Sequence, residues 1–174
     1  MPTLPLRQKL ISIARSQIGV REEPRNSNSG GMVRKYQSAT TLDGTGWPWC
    51  AAFVCWAIRE WGKYPDVREA LRMSAAEFEK WRPKTAAAYG FDGWAKKRGL
   101  LVHSENANPG GLILHTGDIV TYDFSHVGLI ETDRGDTLHT IEGNTDAAGS
   151  REGGGVYQKR RDRKLARTII RILP

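Results

Sequence analysis

The first apolar pattern along the chain has a helical period. Leu6, Leu10, Ile11, Ile13, Ala14 and Ile18 recur at helical spacings over 6–20, and Gly19 supplies a stop. Residues 22–31 (EEPRNSNSGG) are rich in Pro, Asn, Ser and Gly and are predicted to form a loop. The following MVRKYQSAT allows a short helix that leads to a turn at Asp43, Gly44 and Gly46. From Trp49 to Trp61 (WCAAFVCWAIREW) the chain is apolar on nearly every side, which at this length predicts a central buried helix, with Pro48 suited to its start. The stretch 66–81 is helical in composition, and so is TAAAYGFDGWAKKRG, whose last glycine can cap a helix.

Beyond Gly99 the period changes. Five β-type runs, DIVTYDF, HVGLIE, TLHTIEG, VYQKR and RTIIRIL, are separated by turn signals, with a Gly-rich loop at 147–155 between two of them. They lie too close together for crossover helices and are therefore predicted to pair antiparallel. Helices first and an antiparallel sheet second is an α+β arrangement.

Length and charge narrow the picture. At 174 residues the chain is expected to form one domain, 1–174, able to bury a core without disulfide or metal staples. No run approaches the roughly 18 apolar residues of a membrane-spanning helix, and the N-terminus lacks the pattern of a secretory signal. Cys50 and Cys55 sit on different faces of one predicted helix, so two free thiols are expected. The net charge is +7, concentrated in Lys159, Arg160, Arg161, Arg163, Lys164, Arg167 and Arg171. Such a segment suits an anionic polymer or a solvated basic face. Nucleic acid is not expected as a partner, because no zinc-finger spacing, helix-turn-helix or aromatic RNA-binding signature accompanies the charge.

Chemistry is concentrated at few residues. A thiol becomes nucleophilic when its thiolate is stabilised, and the first turn of a helix does this through unpaired backbone N–H groups and the dipole. Cys50 is predicted at that position, whereas Cys55 falls a turn and a half further on, where a small buried hydrophobe is expected. A cysteine hydrolase also needs a base and a group that orients it. Among four histidines, His126 opens the strand HVGLIE directly after a loop and is the better base; His103 and His115 precede the sheet, and His139 alternates away from Glu142 and Asn144. Glu142 and Asn144 are two apart, so a persisting strand points a carboxylate and an amide to one face. That pair can hold an imidazole and support an oxyanion, or can simply be a strand end turning at Gly143.

Four stretches together resemble the CHAP family of cysteine, histidine-dependent amidohydrolases and peptidases: WPWCAAFVCWAIREWG, GDIVTYDFSHVGLIE, HTIEGNT, and GGGVYQKRR leading to RTIIRIL. The early IARSQIGVREEPRNSNSG is similar to the opening of phage and prophage members, the endolysin-like group. The resemblance implies a papain-like fold with Cys50 as nucleophile, His126 as base, Glu142 as its orienter and Asn144 as a polar support. It also implies bacterial peptidoglycan as substrate, cut either as a muramoyl-alanine amide or within the stem or bridge peptide. The chain departs from richer members in its long 66–81 connection, its short 123–125 loop and the lack of an acidic cluster before Cys50, with no carboxylate over 41–49 beyond Asp43. A calcium site is therefore not expected, and no cofactor or metal is predicted.

The implied setting is synthesis in a bacterial cytoplasm without a signal peptide, then action at the wall after release as a lysin or injection as an effector. A monomer is expected, with the basic C-terminal segment available to anionic envelope polymers and the loops 22–31 and 106–111 setting selectivity. Two other classes stay open: a wall-binding or phage structural module without catalysis, and a cysteine amidase or peptidase on a non-wall substrate.

Overall fold

The computed structural model describes residues 4–104 and 112–173, so the predicted selectivity loop 106–111 lies outside the described residues. Among the described residues six helices precede a six-stranded antiparallel sheet, an α+β fold with a helical N-terminal half. Helix α1 (Leu4–Arg15) buries Leu6, Leu10, Ile11 and Ala14, the stripe that the periodicity marks. It ends earlier than that pattern, because Gln17 and Ile18 turn their N–H groups to carbonyls three residues back and Gly19 then reverses the chain at φ 100°.

Helix α2 (Gly31–Gln37) brings Tyr36 against helix α3 (Cys50–Trp61), which is buried along nearly its whole length. Tyr36 stacks on Trp49 with centroids 5.5 Å apart and meets Phe53 and Trp56 edge-on at 5.3 and 5.0 Å. Each such side chain contributes on the order of 2–3 kcal/mol by leaving water. Trp61 closes the far end of α3 by donating its indole N–H to the Leu6 carbonyl at 2.9 Å. The nucleophile candidate thus heads the helix with the most buried residues among those described.

The predicted 66–81 helix is two helices, α4 (Pro65–Ala70) and α5 (Ala75–Trp81). Arg72 at φ 56° breaks the run, and the Ser74/Glu77 capping box starts the second piece. Only α6 (Gly90–Lys96) forms from the next stretch. Thr85 ties its hydroxyl to both the N–H and the carbonyl of Ala87, and the bent and turned 86–89 segment forms a wall beside Cys50.

The sheet contains β1 (Leu101–Ser104), β2 (Ile119–Tyr122), β3 (His126–Asp133), β4 (Thr137–Thr145), β5 (Gly155–Asp162) and β6 (Ala166–Arg171), in the order β1-β6-β2-β3-β4-β5. All five predicted strands form; β1 is an addition, a four-residue edge strand paired with β6. One face of the sheet, through Ile119, Val127, Leu129, Ile141 and Ile170, joins the helical core. The other carries a smaller cluster around Tyr122, Ile130 and Leu138. Asp118, fully buried ahead of β2, accepts from Arg7 of α1 at 3.1 Å and Arg171 of β6 at 2.8 Å, and so ties helix and sheet together.

Gly143 marks where β4 meets α3. A Cβ there would lie 2.7 Å from both Phe53 Cβ and the Trp49 ring, so the middle residue of Glu-Gly-Asn must be glycine for sheet and helix to touch.

Candidate active site

Cys50 is the first residue of α3, where backbone N–H groups have no helical partner and the dipole favours negative charge. The preceding residue is locked: the Trp49 indole N–H donates to the buried Glu22 carboxylate at 2.8 Å. Cys50 lines an open cleft of about 250 Å³ whose walls include Trp47, Pro48, Ala88, Tyr89 and Arg151.

His126 begins β3 after a three-residue hairpin loop in which Ser125 takes the left-handed conformation at φ 62°. The Tyr89 hydroxyl holds that loop, donating to the Asp123 carbonyl and accepting from the Ser125 N–H at 3.1 Å. The imidazole is fully buried and lies nearly parallel to Phe124, centroids 5.9 Å apart. Its Nε2–H donates to Glu142 at 3.0 Å. Nδ1 has no nitrogen or oxygen partner among the described residues and is left for the Cys50 sulfur, with which the ring interacts. Burial alone would push the His126 pKa down, but the Cys50 sulfur and the Glu142 carboxylate reverse this and raise it to about 9. The imidazolium therefore persists at neutral pH.

Glu142 is the most heavily bonded carboxylate of the site. Besides His126 it accepts from Thr140 Oγ1 at 2.6 Å, Tyr122 OH at 3.3 Å and Arg161, whose Nη2 lies 2.5 Å from Oε2 and whose Nε lies 3.1 Å from Oε1. Burial would raise its pKa, and the hydrogen bonds from His126 and Arg161 outweigh that, lowering it to about 2. Gly128 of β3 makes room for it: a Cβ there would lie 2.7 Å from Glu142 Cγ. Gly128→Ala is accordingly expected to displace the carboxylate and reduce kcat/KM about tenfold or more with the protein still folded, as measured by turnover alongside a thermal melt.

Asn144 is placed differently from Glu142. The register of β4 shifts between Glu142 and Thr145, and Asn144 sits at φ 57°, so strand alternation does not extend to it. Its amide nitrogen donates to the Arg151 carbonyl at 3.0 Å, on the cleft wall, and its buried Oδ1 has no partner among the described residues. Cys50, His126 and Glu142 are thus brought together, while Asn144 supports the adjoining 145–152 loop.

Arg161 is the site residue that the sequence reading missed, having counted it with the basic segment. Strand alternation in β5 is the signal that separates it: Lys159 and Arg161 are buried and Arg160 between them is exposed. Internal pairing accounts for most of that segment. Lys159 donates to the Asp146 and Ala147 carbonyls, Arg163 pairs with Asp133, Arg171 with Asp118, and Arg167 lies over the Tyr89 ring at 4.1 Å.

Residues 42–144, well over half of the chain, match the family model described as CHAP domain. The chain belongs to the CHAP domain family. That family comprises cysteine- and histidine-dependent amidohydrolases and peptidases, commonly acting on peptidoglycan, and an imidazole held between a thiol and a carboxylate suits that chemistry. No curated protein and no solved structure matches the chain. The matched region takes in Cys50, His126, Glu142 and Asn144, whereas Glu22 and Arg161 lie outside it. Among the described residues no group of three or more His, Cys, Asp or Glu side chains is placed to hold a metal ion, and no helix is long and apolar enough to cross a membrane.

Proposed function

We propose that this CHAP chain is a peptidoglycan hydrolase that cleaves an amide bond with Cys50 as nucleophile. The observation that carries the reading is the His126 imidazole, held between Glu142 and Cys50 beside an open cleft. In the acylation step the Cys50 sulfur attacks the scissile carbonyl carbon, and the developing oxyanion is met by the Cys50 backbone N–H at the head of α3. His126 then gives its proton to the departing amine as the C–N bond breaks, leaving a thioester. Water attacks the thioester while His126 takes its proton, and the Cys50 sulfur leaves with the C–S electron pair, which frees a carboxylic acid and returns the site to thiolate and imidazolium. Glu142 keeps the imidazole oriented and offsets its charge throughout, and Asn144 holds the cleft wall at Arg151.

The same proposal makes the enzyme phage-lysin-like, made in a bacterial cytoplasm and acting at the wall after release or delivery. It rests there on the likeness of 13–30 to the opening of phage members. Attachment to anionic envelope polymers falls mainly to Arg160 and Lys164, the exposed cations of the C-terminal segment. High salt is then expected to weaken binding to walls.

The test is digestion of purified sacculi by the untreated protein and by protein alkylated with iodoacetamide, followed by mass spectrometry of the soluble fragments and assay of new amino termini. Release of fragments by the untreated protein alone is the expected result, and the fragment masses name the bond. Release from no wall chemistry, together with cleavage of protein or small-amide substrates, would replace peptidoglycan by those amides.

A further inference from the structure

The Cys50 cleft does not end at Cys50. On the side of Leu42, Ala86 and Ala87 it adjoins an open groove of about 600 Å³, which those three residues also line and which runs along α6. The charged residues of this arm are Lys84, Lys97 and Arg98, and no carboxylate lines it among the described residues. Arg98 is pre-set: its guanidinium donates to the carbonyls of Trp81, Lys80 and Trp94 and lies over the Trp94 ring at 5.6 Å. All those acceptors are neutral, so its charge has no counter-ion there. Lys84 is paired with Glu79 at 2.9 Å, whereas Lys97 is exposed at the end of α6 with no protein partner among the described residues.

The opposite end of the cleft has another character. Glu152 there also lines a second cavity of about 360 Å³, whose other charged residues are Glu22, Asp146, Arg21 and Arg25. A bound anion is stabilised in the first arm and faces carboxylates in the second. Gly93 keeps the first arm wide: a Cβ there meets nothing within 4 Å, so the helix offers open space where most residues would project a side chain.

We infer that the arm formed by Lys84, Lys97 and Arg98 is a substrate subsite that reads a carboxylate on the peptide whose amide lies at Cys50. The inference rests on the proposed hydrolase reading and extends it to substrate choice. A peptide is favoured over a phosphate polymer because the arm shares Leu42, Ala86 and Ala87 with the Cys50 cleft, so a peptide whose amide lies at Cys50 can place its next groups there. The arm then sets the direction in which the peptide lies across Cys50.

The test uses the full chain and two variants, Lys97→Glu and Gly93→Glu. The second places a carboxylate into empty space and replaces a helix-interior glycine, so it is not expected to disturb folding. Two probe pairs are compared: soluble wall peptides with free carboxylates against their carboxamides, and a thiol-directed peptide inactivator with a terminal carboxylate against its carboxamide. The wild type is expected to prefer the carboxylate partner roughly threefold to tenfold in kcat/KM and in inactivation rate, and the preference should shrink with added salt. In both variants the ratio should fall to about one or reverse, with the carboxamide partner serving as the folding control.

An equal response to both partners in the wild type overturns the inference. So does inhibition by a phosphate-rich wall polymer without any preference within the peptide pairs, which assigns the arm to that polymer. If wall peptides are not cleaved at all, the hydrolase reading fails on its own, while the inactivator pair still decides whether the arm selects a carboxylate.

Discussion

Cys50→Ala is expected to lower hydrolysis by at least about a thousandfold, to the level of a blank, while the protein stays folded. Cys50 is the first residue of α3 and lines the cleft, so removing its sulfur deletes the nucleophile and little packing. Cys55→Ala should do the reverse. Its thiol is completely buried and donates to the Thr85 carbonyl at 3.4 Å. Burial pushes its pKa up to about 12, which leaves it a neutral core atom. Its loss is expected to cost about 1–2 kcal/mol of stability with activity retained. Iodoacetamide at neutral pH should label Cys50 and spare Cys55, read by mass spectrometry of the digested protein. Activity that survives Cys50→Ala but not Cys55→Ala would reverse the assignment.

The same site fixes a pH dependence. The folded His126 holds its proton until about pH 9, above its ordinary 6.5, so the imidazolium needed to protonate the leaving amine is lost as pH rises through 9. The raised value also means that its contribution to stability is complete below about 6.5 and disappears over the same rise. Hydrolysis is expected to fall on the alkaline side near pH 9, as measured by initial rates on soluble wall peptide over pH 5–10.

Much of this was legible in the chain because the pattern is strong where burial is complete. The apolar run around α3 has no polar face to confuse its period, and the five strands alternate or run apolar between clear turns. What escaped were features decided by tertiary context. Ser74 caps a new helix and Arg72 adopts a left-handed turn, both local choices that helical composition over 66–81 conceals. β1 is four residues long and gains its strand state from pairing with β6. At the site, Cys50, His126 and Glu142 could be nominated from residue type, position and resemblance, since Cys50 opens α3, His126 opens β3 and Glu142 lies within β4 next to Gly143, where that strand meets α3. Asn144 illustrates the limit of spacing: a bulge in β4 turns its side chain away from the alternation that places Glu142. Arg161 shows the limit of composition, because a cation in a basic run reads as surface until a buried carboxylate claims it.

That pairing leads to the second large effect. Arg161→Met is expected to destabilise the fold by about 3–5 kcal/mol and to cut activity severely, because it leaves Glu142, fully buried, without its second cation. His126 alone does not suffice. Each time it passes its proton to a leaving amine it becomes neutral, and only Arg161 then balances the carboxylate. Arg161→Lys should restore part of the stability and little of the activity, since an ammonium cannot make both Nε and Nη2 contacts or lie against Tyr122 and Phe124 as the guanidinium does.

Two readouts separate this role from a loss of packing. Removing a fixed positive charge raises the proton affinity of its neighbours, so Glu142, held at about 2, moves up. In the wild type its contribution to stability is complete above about pH 4.5 and is lost only as pH falls toward 2; in Arg161→Met the loss should begin at higher pH, and the acid limb of hydrolysis should shift the same way. The double variant Glu142→Gln with Arg161→Met should be more stable than Arg161→Met alone, because no buried charge is left unpaired. Chemical denaturation of the single and double variants at pH 5 and 7 measures both effects. Additive losses with an unmoved acid limb would make Arg161 a packing residue, whereas the expected pattern makes it the group that keeps Glu142 ionised through the catalytic cycle.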